Sequence, residues 1–318
     1  LVLAYGLPYF GFAISNTIYL ILFLLSLLLG GFSLFYIYHF SSYRKIYQEL
    51  LTTNNNIITQ NTTTELLKEQ TRKQIELGEG TSNKTGYAYF HELFVKRHRK
   101  ILTKSAKKTA MISFFILCGV TIVALVNPTL KAQLNAVILV YLPYMVFIMY
   151  MINRGTVVTQ AMFINCDHSM LTYRFYRTPK VILGLFRERL KTLIMINLIP
   201  ALVIGGGLAL LLWVTGGTTN PWNYVILVVS ILAMSIFFSV HYLVMYYLLQ
   251  PYNIAVEVKS ASYKLIQTLT YLVCYYMLQL RLPIFSFGIT MILFSIAYSF
   301  ISLFLVYRYA PKTFKIRP

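Results

Sequence analysis

The 318-residue chain is 58% apolar and only 12% charged, and its mean hydropathy is +0.65. Soluble domains carry about 25% charged residues, so these values exclude an ordinary soluble protein and indicate a multi-pass membrane protein. The net charge of +19 comes from blocks of Lys and Arg between apolar runs. Such blocks are typical of loops that set membrane topology, and we expect no nucleic-acid partner. Three isolated cysteines predict neither a disulfide framework nor a zinc site.

The first apolar run, Leu1–Phe40, would extend about 60 Å as a helix, twice the hydrocarbon core of a bilayer. The polar break at Ser15–Thr17 predicts two spans, about 1–14 (truncated or re-entrant) and 18–39. The alternative is one interfacial or re-entrant segment followed by a single span. Further spans are predicted at about 109–126, 134–152, 193–213, 224–249, 265–280 and 284–306. The expected fold is therefore all-α, with about eight transmembrane helices and amphipathic cytoplasmic elbow helices.

Polar and apolar segments alternate along the chain. They divide it into a transmembrane hairpin (1–40), a basic loop with an interfacial helix (41–108), a hairpin (109–152), a coupling elbow (153–192), a hairpin (193–249), a loop (250–264), a hairpin (265–306) and a basic tail (307–318). The segments 41–110, 153–192, 250–264 and 307–318 hold 26 of the 28 Lys and Arg residues. Because basic loops stay in the cytoplasm, this count predicts a plasma-membrane protein with both termini inside the cell.

The long polar region Ser41–Ala110 contains three kinds of sequence. Thr52–Thr64 predicts a flexible loop, and Glu65–Glu76 predicts a short charged helix. Tyr87–Lys108 predicts a helix lying on an anionic leaflet, with Phe90, Phe94 and Ile101 on one side and His91 and His98 on the surface. Its candidate lipid-surface residues are Lys96, Arg97, Arg99, Lys100 and Lys104. An ordinary solvated helix is the alternative interpretation.

Motifs for catalysis are missing or broken in the sequence. All nine acids lie outside the predicted spans, which disfavours a proton-coupled carrier. His241 is expected to form a hydrogen bond between packed helices, and Gly205–Gly207 to allow close helix contact. The chain has no P-loop, His91-Glu92 does not complete HExxH, and Cys166–His168 are adjacent residues that a regular helix cannot aim at one ion. We expect no enzyme and no cofactor in this chain, and an intramembrane enzyme is the least favoured class.

One basic, tyrosine-rich stretch, Asn165–Leu193, interrupts the apolar runs. Asp167 is expected to cap a short helix beginning at His168, whose apolar side would be Met170, Leu171 and Phe175. Thr178-Pro179 predicts the start of a second helix, with Lys180, Arg187 and Lys191 on one face. Arg and Tyr dominate binding hot spots, which gives six candidate coupling residues: Asp167, Tyr173, Arg174, Tyr176, Arg177 and Arg187. An elbow that only anchors the next span to the membrane surface is the alternative.

The stretch NCDHSMLTYRFYR followed by PKVILGLFRERLKTLIMINLIP resembles the membrane subunits of bacterial ATP-binding-cassette exporters whose ATPase is a separate chain. The resemblance implies a permease whose cytoplasmic elbows dock the cassette ATPase, with ATP and Mg bound by that partner and a second permease copy or paralogue completing the path. The Asn, Ile, Lys and Tyr content is typical of a low-GC Gram-positive bacterium. A membrane scaffold or immunity subunit that binds a partner and transports nothing is the alternative function.

Overall fold

The computed structural model describes residues 16–39, 48, 85–253, 258 and 260–315. The chain divides into two units, Leu1–Thr63 and Thr64–Pro318. The first unit contains α1 (Asn16–His39), a helix that covers the predicted second span and whose side chains are exposed from Phe23 to Ser33. The predicted span at about 1–14, the loop at 52–64 and the charged helix at 65–76 lie outside the described residues.

The described part of the second unit is helical, with two isolated β-bridges and no strand. Its helices are α2 (Gly86–Arg97), α3 (Arg99–Val126), α4 (Pro128–Val140), α5 (Tyr144–Ile152), α6 (Gly155–Met162), α7 (Pro179–Val214), α8 (Trp222–Leu249), α9 (Ala261–Tyr276) and α10 (Ile284–Thr313). Side chains next to a helix stabilise its first turn. At the start of α4, the Asn127 side chain accepts hydrogen bonds from the backbone N–H groups of Thr129 and Leu130.

Within the described ranges, four helices are long and apolar enough to cross a membrane: α3, α7, α8 and α10. They contain 28 to 36 residues and extend about 42–54 Å, more than the thickness of the hydrocarbon core. The chain is therefore an all-helical protein with the character of a membrane protein. α8 packs against both α7 and α10, and α3 packs against α7. The side on which α3 and α7 begin and α8 and α10 end is termed the basic end.

Two predicted spans are not single long helices. The segment 134–152 is split between α4 and α5 by a bend at Tyr141–Pro143. Pro143 has no N–H for a helical hydrogen bond. The backbone N–H of Leu282 donates to the carbonyl of Val140 (2.9 Å), so the turn before α10 lies against this bend. The segment 265–280 forms the 16-residue α9 followed by a short 3-10 turn.

The predicted interfacial helix is also divided, because α2 ends at Arg97 and α3 begins at Arg99 with His98 between them. Of its expected apolar side, Phe94 is buried, Ile101 is half-buried and Phe90 is exposed. The expectation that His91 and His98 are surface residues is wrong, since both are buried. The Nδ1 atom of His98 lies 2.8 Å from the carbonyl of Phe94, so its ring is held by the helix that precedes it.

Among the described residues of this unit, buried side chains form two apolar clusters. The cluster at the basic end includes Leu102, Met162, Phe163, Ile182, Phe186, Tyr246, Tyr247 and Phe314. The other includes Leu142, Val146, Ala201, Leu212, Ile231, Phe238 and Phe287. His241 joins three helices, because its ring nitrogens lie 2.8 Å from the Tyr298 hydroxyl and 3.0 Å from the Thr270 hydroxyl. Gly205 and Gly207 allow the predicted close contacts, against α8 and α3 respectively.

Candidate functional site

The segment between α6 and α7 turns the chain at the basic end. α6 passes directly into a π-helical turn, Phe163–Asp167, whose hydrogen bonds join residues five apart. A three-residue α turn and a 3-10 turn, Arg174–Arg177, follow it. Thr178 is extended and Pro179 begins α7, because the fixed φ of proline suits a first helical position. Residues 168–178 are termed the elbow.

Asp167 ends the π turn and is fully buried. Its carboxylate accepts four hydrogen bonds from three side chains. Oδ1 accepts from the Tyr176 hydroxyl (2.6 Å) and from Nη2 of Arg189 (2.5 Å). Oδ2 accepts from Nη1 of Arg189 (2.7 Å) and from the Tyr246 hydroxyl (2.5 Å). A two-point contact between guanidinium and carboxylate is the strongest form of this ion pair.

Arg189 is also buried, and it makes further contacts beyond those with Asp167. Its Nη1 also donates to the Tyr247 hydroxyl (2.8 Å), and its guanidinium carbon lies 5.8 Å from the centre of that ring. Its Nη2 lies 3.6 Å from the Cys166 sulfur. These six residues, Cys166, Asp167, Tyr176, Arg189, Tyr246 and Tyr247, are termed the Asp167 cluster. Burial of two charges costs several kcal/mol per ion, and the dense hydrogen bonding offsets that cost. The cluster thus ties the elbow to α7 and α8.

Burial determines the protonation of Cys166 and Tyr176 in the Asp167 cluster. Desolvation raises the pKa of the Cys166 thiol to about 12, and the neighbouring Asp167 carboxylate acts in the same direction. Desolvation also raises the pKa of the Tyr176 hydroxyl, although Arg189 opposes this shift. Both groups remain protonated at neutral pH. Tyr176 therefore stays a hydrogen-bond donor to the Asp167 carboxylate.

We expect Cys166 to be almost unreactive in the folded protein, because thiol reagents attack the exposed thiolate. A variant that retains only Cys166, with Cys118→Ala and Cys274→Ala, should react with a small maleimide at pH 7.5 more than about tenfold slower before denaturation than after it. Mass spectrometry measures the labelled fraction over time. The matched variant retaining only half-buried Cys118 reports reagent access within α3. Equal rates for Cys166 in the folded and denatured protein would contradict the buried position.

The outer side of the elbow is aromatic and basic. Tyr173 is 56% exposed and Phe175 is 54% exposed, with their ring centres 5.9 Å apart. Arg174 is exposed and Arg177 is half-buried. These four residues are termed the elbow surface. Tyr176 lies between them in sequence but points inward to Asp167. The 3-10 turn therefore sends successive aromatic residues to opposite sides.

The six predicted coupling residues fall into two groups. The structure exposes Tyr173, Arg174 and Arg187, half-buries Arg177, and buries Asp167 and Tyr176. The two buried residues are not accessible to a partner in this conformation. Tyr173, Arg174 and Arg177 belong to the elbow surface, and Arg187 is exposed on α7.

The expectation that Asp167 caps a helix at His168 is wrong. The α turn there continues from the π turn, and the Asp167 side chain makes no capping hydrogen bond because it faces Arg189. Of the expected apolar side, Leu171 is buried, Met170 is half-buried and Phe175 is exposed. The boundary at Pro179 is confirmed. So is the exposed face of α7 formed by Lys180, Arg187 and Lys191.

Sequence reasoning missed Arg189, Tyr246 and Tyr247 as members of the site. Arg189 lies in the charged triplet Arg187–Arg189, which is typical of a solvated helix face. The sequence nevertheless contains a sign that Arg189 is buried. Ile182 and Ile196 lie seven residues before and after it and share its side of the helix. All three are buried. No local pattern indicates that the two tyrosines of α8 join this group.

The predicted lipid-surface residues lie around the junction of α2 and α3. Lys96, Arg97, Arg99, Lys100 and Lys104 are all exposed. Lys96 forms a 2.9 Å ion pair with Glu92 on the same helix. Within the described part of the chain, the cations of α3 have no carboxylate partner. Their charge is available to an external anion.

Comparison with protein-family models, curated proteins and solved structures finds no match to this chain. The structure shows an exposed aromatic and basic elbow surface at the basic end of a bundle of apolar helices.

Proposed function

We propose that this chain is the permease subunit of an ATP-driven exporter in a bacterial plasma membrane, and that its elbow docks a separate cassette ATPase. The observation that carries the proposal is the two-sided elbow. Its outer side exposes Tyr173, Arg174 and Phe175, while its inner side is fixed by Asp167 and Arg189. Exposed Tyr and Arg on a rigid support are the usual composition of a binding hot spot.

The inner connections suit an element that transmits movement. The hydrogen bond from Tyr246 reaches Asp167 from α8, and the two-point contact reaches it from α7. A displacement of the elbow by a bound ATPase would therefore move both helices together. A merely membrane-anchoring elbow needs no such attachment. The absence of a P-loop from the sequence is consistent with ATP and Mg being bound by the partner.

In this proposal about eight segments cross the membrane and both termini lie in the cytoplasm. The four long helices would be joined by α1, by α4 with α5, by α9 with its 3-10 turn, and by the segment before α1. The basic end would face the cytoplasm, where short basic loops are retained. A second copy or a paralogue would complete the substrate path.

The experiment reverses charge on the elbow surface. The variant Arg174→Glu with Arg177→Glu should reduce co-purification of the cassette ATPase at least about tenfold, since loss of one hot spot costs at least about 2 kcal/mol. The readouts are the ratio of ATPase to permease after affinity purification in detergent and the ATP hydrolysis rate of that complex.

The matched control is Arg308→Glu with Lys312→Glu, which makes the same charge change on exposed residues of α10 at the basic end. It should leave ATPase binding within about twofold of the wild type. Recovery of no ATPase with the wild-type chain would refute the proposal. Binding of a different protein, without ATP-dependent transport in vesicles, would instead indicate a scaffold or immunity subunit.

A further inference from the structure

We infer that a cleft between α2, α3 and α7 binds one anionic phospholipid, with its headgroup at Arg99 and an acyl chain along α7. The cleft has a volume of about 530 Å³ and receives residues from all three helices. This inference rests on the membrane character of the chain and not on the docking of an ATPase. It assigns a defined site where the sequence predicted only a basic surface.

The cleft changes character along its length. At the basic end it is lined by charged residues, including Glu188 and Lys191 of α7. One to three turns further along α7, the lining residues are Met195, Ile196 and Ile199. Lys191 and Ile199 are eight residues apart, which is about 12 Å along a helix. A polar mouth followed by an apolar slot matches a headgroup followed by an acyl chain.

The apolar part leads toward the lipid and not into the protein core. Leu102 and Ile196 form a buried floor, whereas Met195 is 70% exposed at the flank of α7. The apolar run of α7 continues beyond Ile199 without a charged residue. A soluble phosphate or an acidic peptide would leave this slot uncovered. An acyl chain would fill it and pass directly into the hydrocarbon layer.

The charge at the mouth selects an anion. The carboxylates of Glu92 and Glu188 are each bonded to a lysine, with distances of 2.9 Å to Lys96 and 2.7 Å to Lys191. Arg99 has no carboxylate partner among the described residues, so its charge is not compensated within the cleft.

A second concavity of about 480 Å³ adjoins the first and shares Arg99 and Thr103 with it. Its remaining lining residues are Lys100, Lys104 and Lys107. Positive charge thus surrounds Arg99 on the α3 side, and a headgroup phosphate at Arg99 would be attracted by all four cations.

The walls of the cleft are held in place independently of a ligand. Nε2 of His91 on α2 lies 2.8 Å from the hydroxyl of Thr192 on α7, and both side chains contribute to the lining. α2 packs along the first part of α7. The site is therefore preformed, which lowers the entropic cost of binding.

The test measures lipid retention by native mass spectrometry of the full chain, purified in detergent with equal amounts of phosphatidylglycerol and phosphatidylcholine. We expect the wild type to retain one phosphatidylglycerol in preference to phosphatidylcholine. Arg99→Gln should reduce that retention about fivefold, the factor supplied by one interfacial cation. Arg308→Gln, an exposed cation of α10, should leave it unchanged.

Two further measurements distinguish binding of the headgroup from binding of the acyl chain. Met195→Trp should reduce retention of phosphatidylglycerol by filling the slot, while its thermal unfolding temperature stays near that of the wild type because this side chain is exposed. Inorganic phosphate at millimolar concentration should not displace the lipid. Equal retention of the two lipids, equal losses for Arg99→Gln and Arg308→Gln, or full displacement by phosphate would each overturn the inference.

Discussion

Asp167→Asn should lower the free energy of unfolding by about 3–5 kcal/mol, because it leaves the Arg189 guanidinium buried without a counter-charge. Such a loss is a large part of the about 5–15 kcal/mol that usually stabilises a folded protein. Thermal unfolding in detergent, followed by intrinsic fluorescence, measures the change. Cys166, which lies beside the pair, should become accessible to maleimide in the same variant.

The matched control for this variant is Glu188→Gln, one residue before Arg189. It makes the same chemical change in a partly exposed ion pair with Lys191, which is worth less than about 1 kcal/mol. The double variant Asp167→Leu with Arg189→Met removes both charges and should recover part of the lost stability. Equal stability of Asp167→Asn and Glu188→Gln would contradict a structural role for the cluster.

Gly155→Ala should also destabilise the protein, by about 1–3 kcal/mol, because an added methyl group has no room. A Cβ at this position would meet Cβ and Cγ of Tyr242 in α8, and it would approach Oδ1 of Asn153 to 2.8 Å. The Tyr242 atoms lie next to the backbone, so the helix itself must shift. The loss is expected as a lower unfolding temperature in the same detergent assay.

Gly206→Ala is the control for crowding at Gly155. A Cβ at Gly206 would meet nothing within 4 Å, although Gly205 and Gly207 on either side are in contact with other helices. Alanine favours helix by about 0.5–1 kcal/mol over glycine, so this variant should be neutral or slightly more stable. A decrease as large as that of Gly155→Ala would show that the effect is not caused by close packing.

The sequence was informative wherever one residue determines the local backbone. Pro179 begins a helix at the expected position. The long apolar runs that became α8 and α10 were recognised because length and hydropathy alone identify them. The same reasoning wrongly predicted one continuous span at 134–152. The residues there are apolar on both sides of a bend, and the turn at Leu282 lies against that bend. Hydropathy reports where a segment prefers to lie and not whether its helix is continuous.

For the candidate site, the sequence identified residues of the exposed elbow surface but not the buried contacts behind it. Tyr173 and Arg174 are conspicuous in the sequence, and both are exposed in the structure. Asp167 was recognised, but its partners Arg189 and Tyr246 lie 22 and 79 residues further along the chain. A pairing over such distances is decided by how helices pack, which local periodicity does not contain. For the same reason the cleft at Arg99 could not be foreseen, since it needs α7 beside α2.

The long separation within the Asp167 cluster also sets an order for biogenesis. Asp167 and Arg189 leave the ribosome first, and Tyr246 follows only after most of α8 has been synthesised. Until then the ion pair between Asp167 and Arg189 lacks its hydrogen bonds with the hydroxyls of α8. The Asp167 cluster therefore becomes complete only after α8 has packed beside α7.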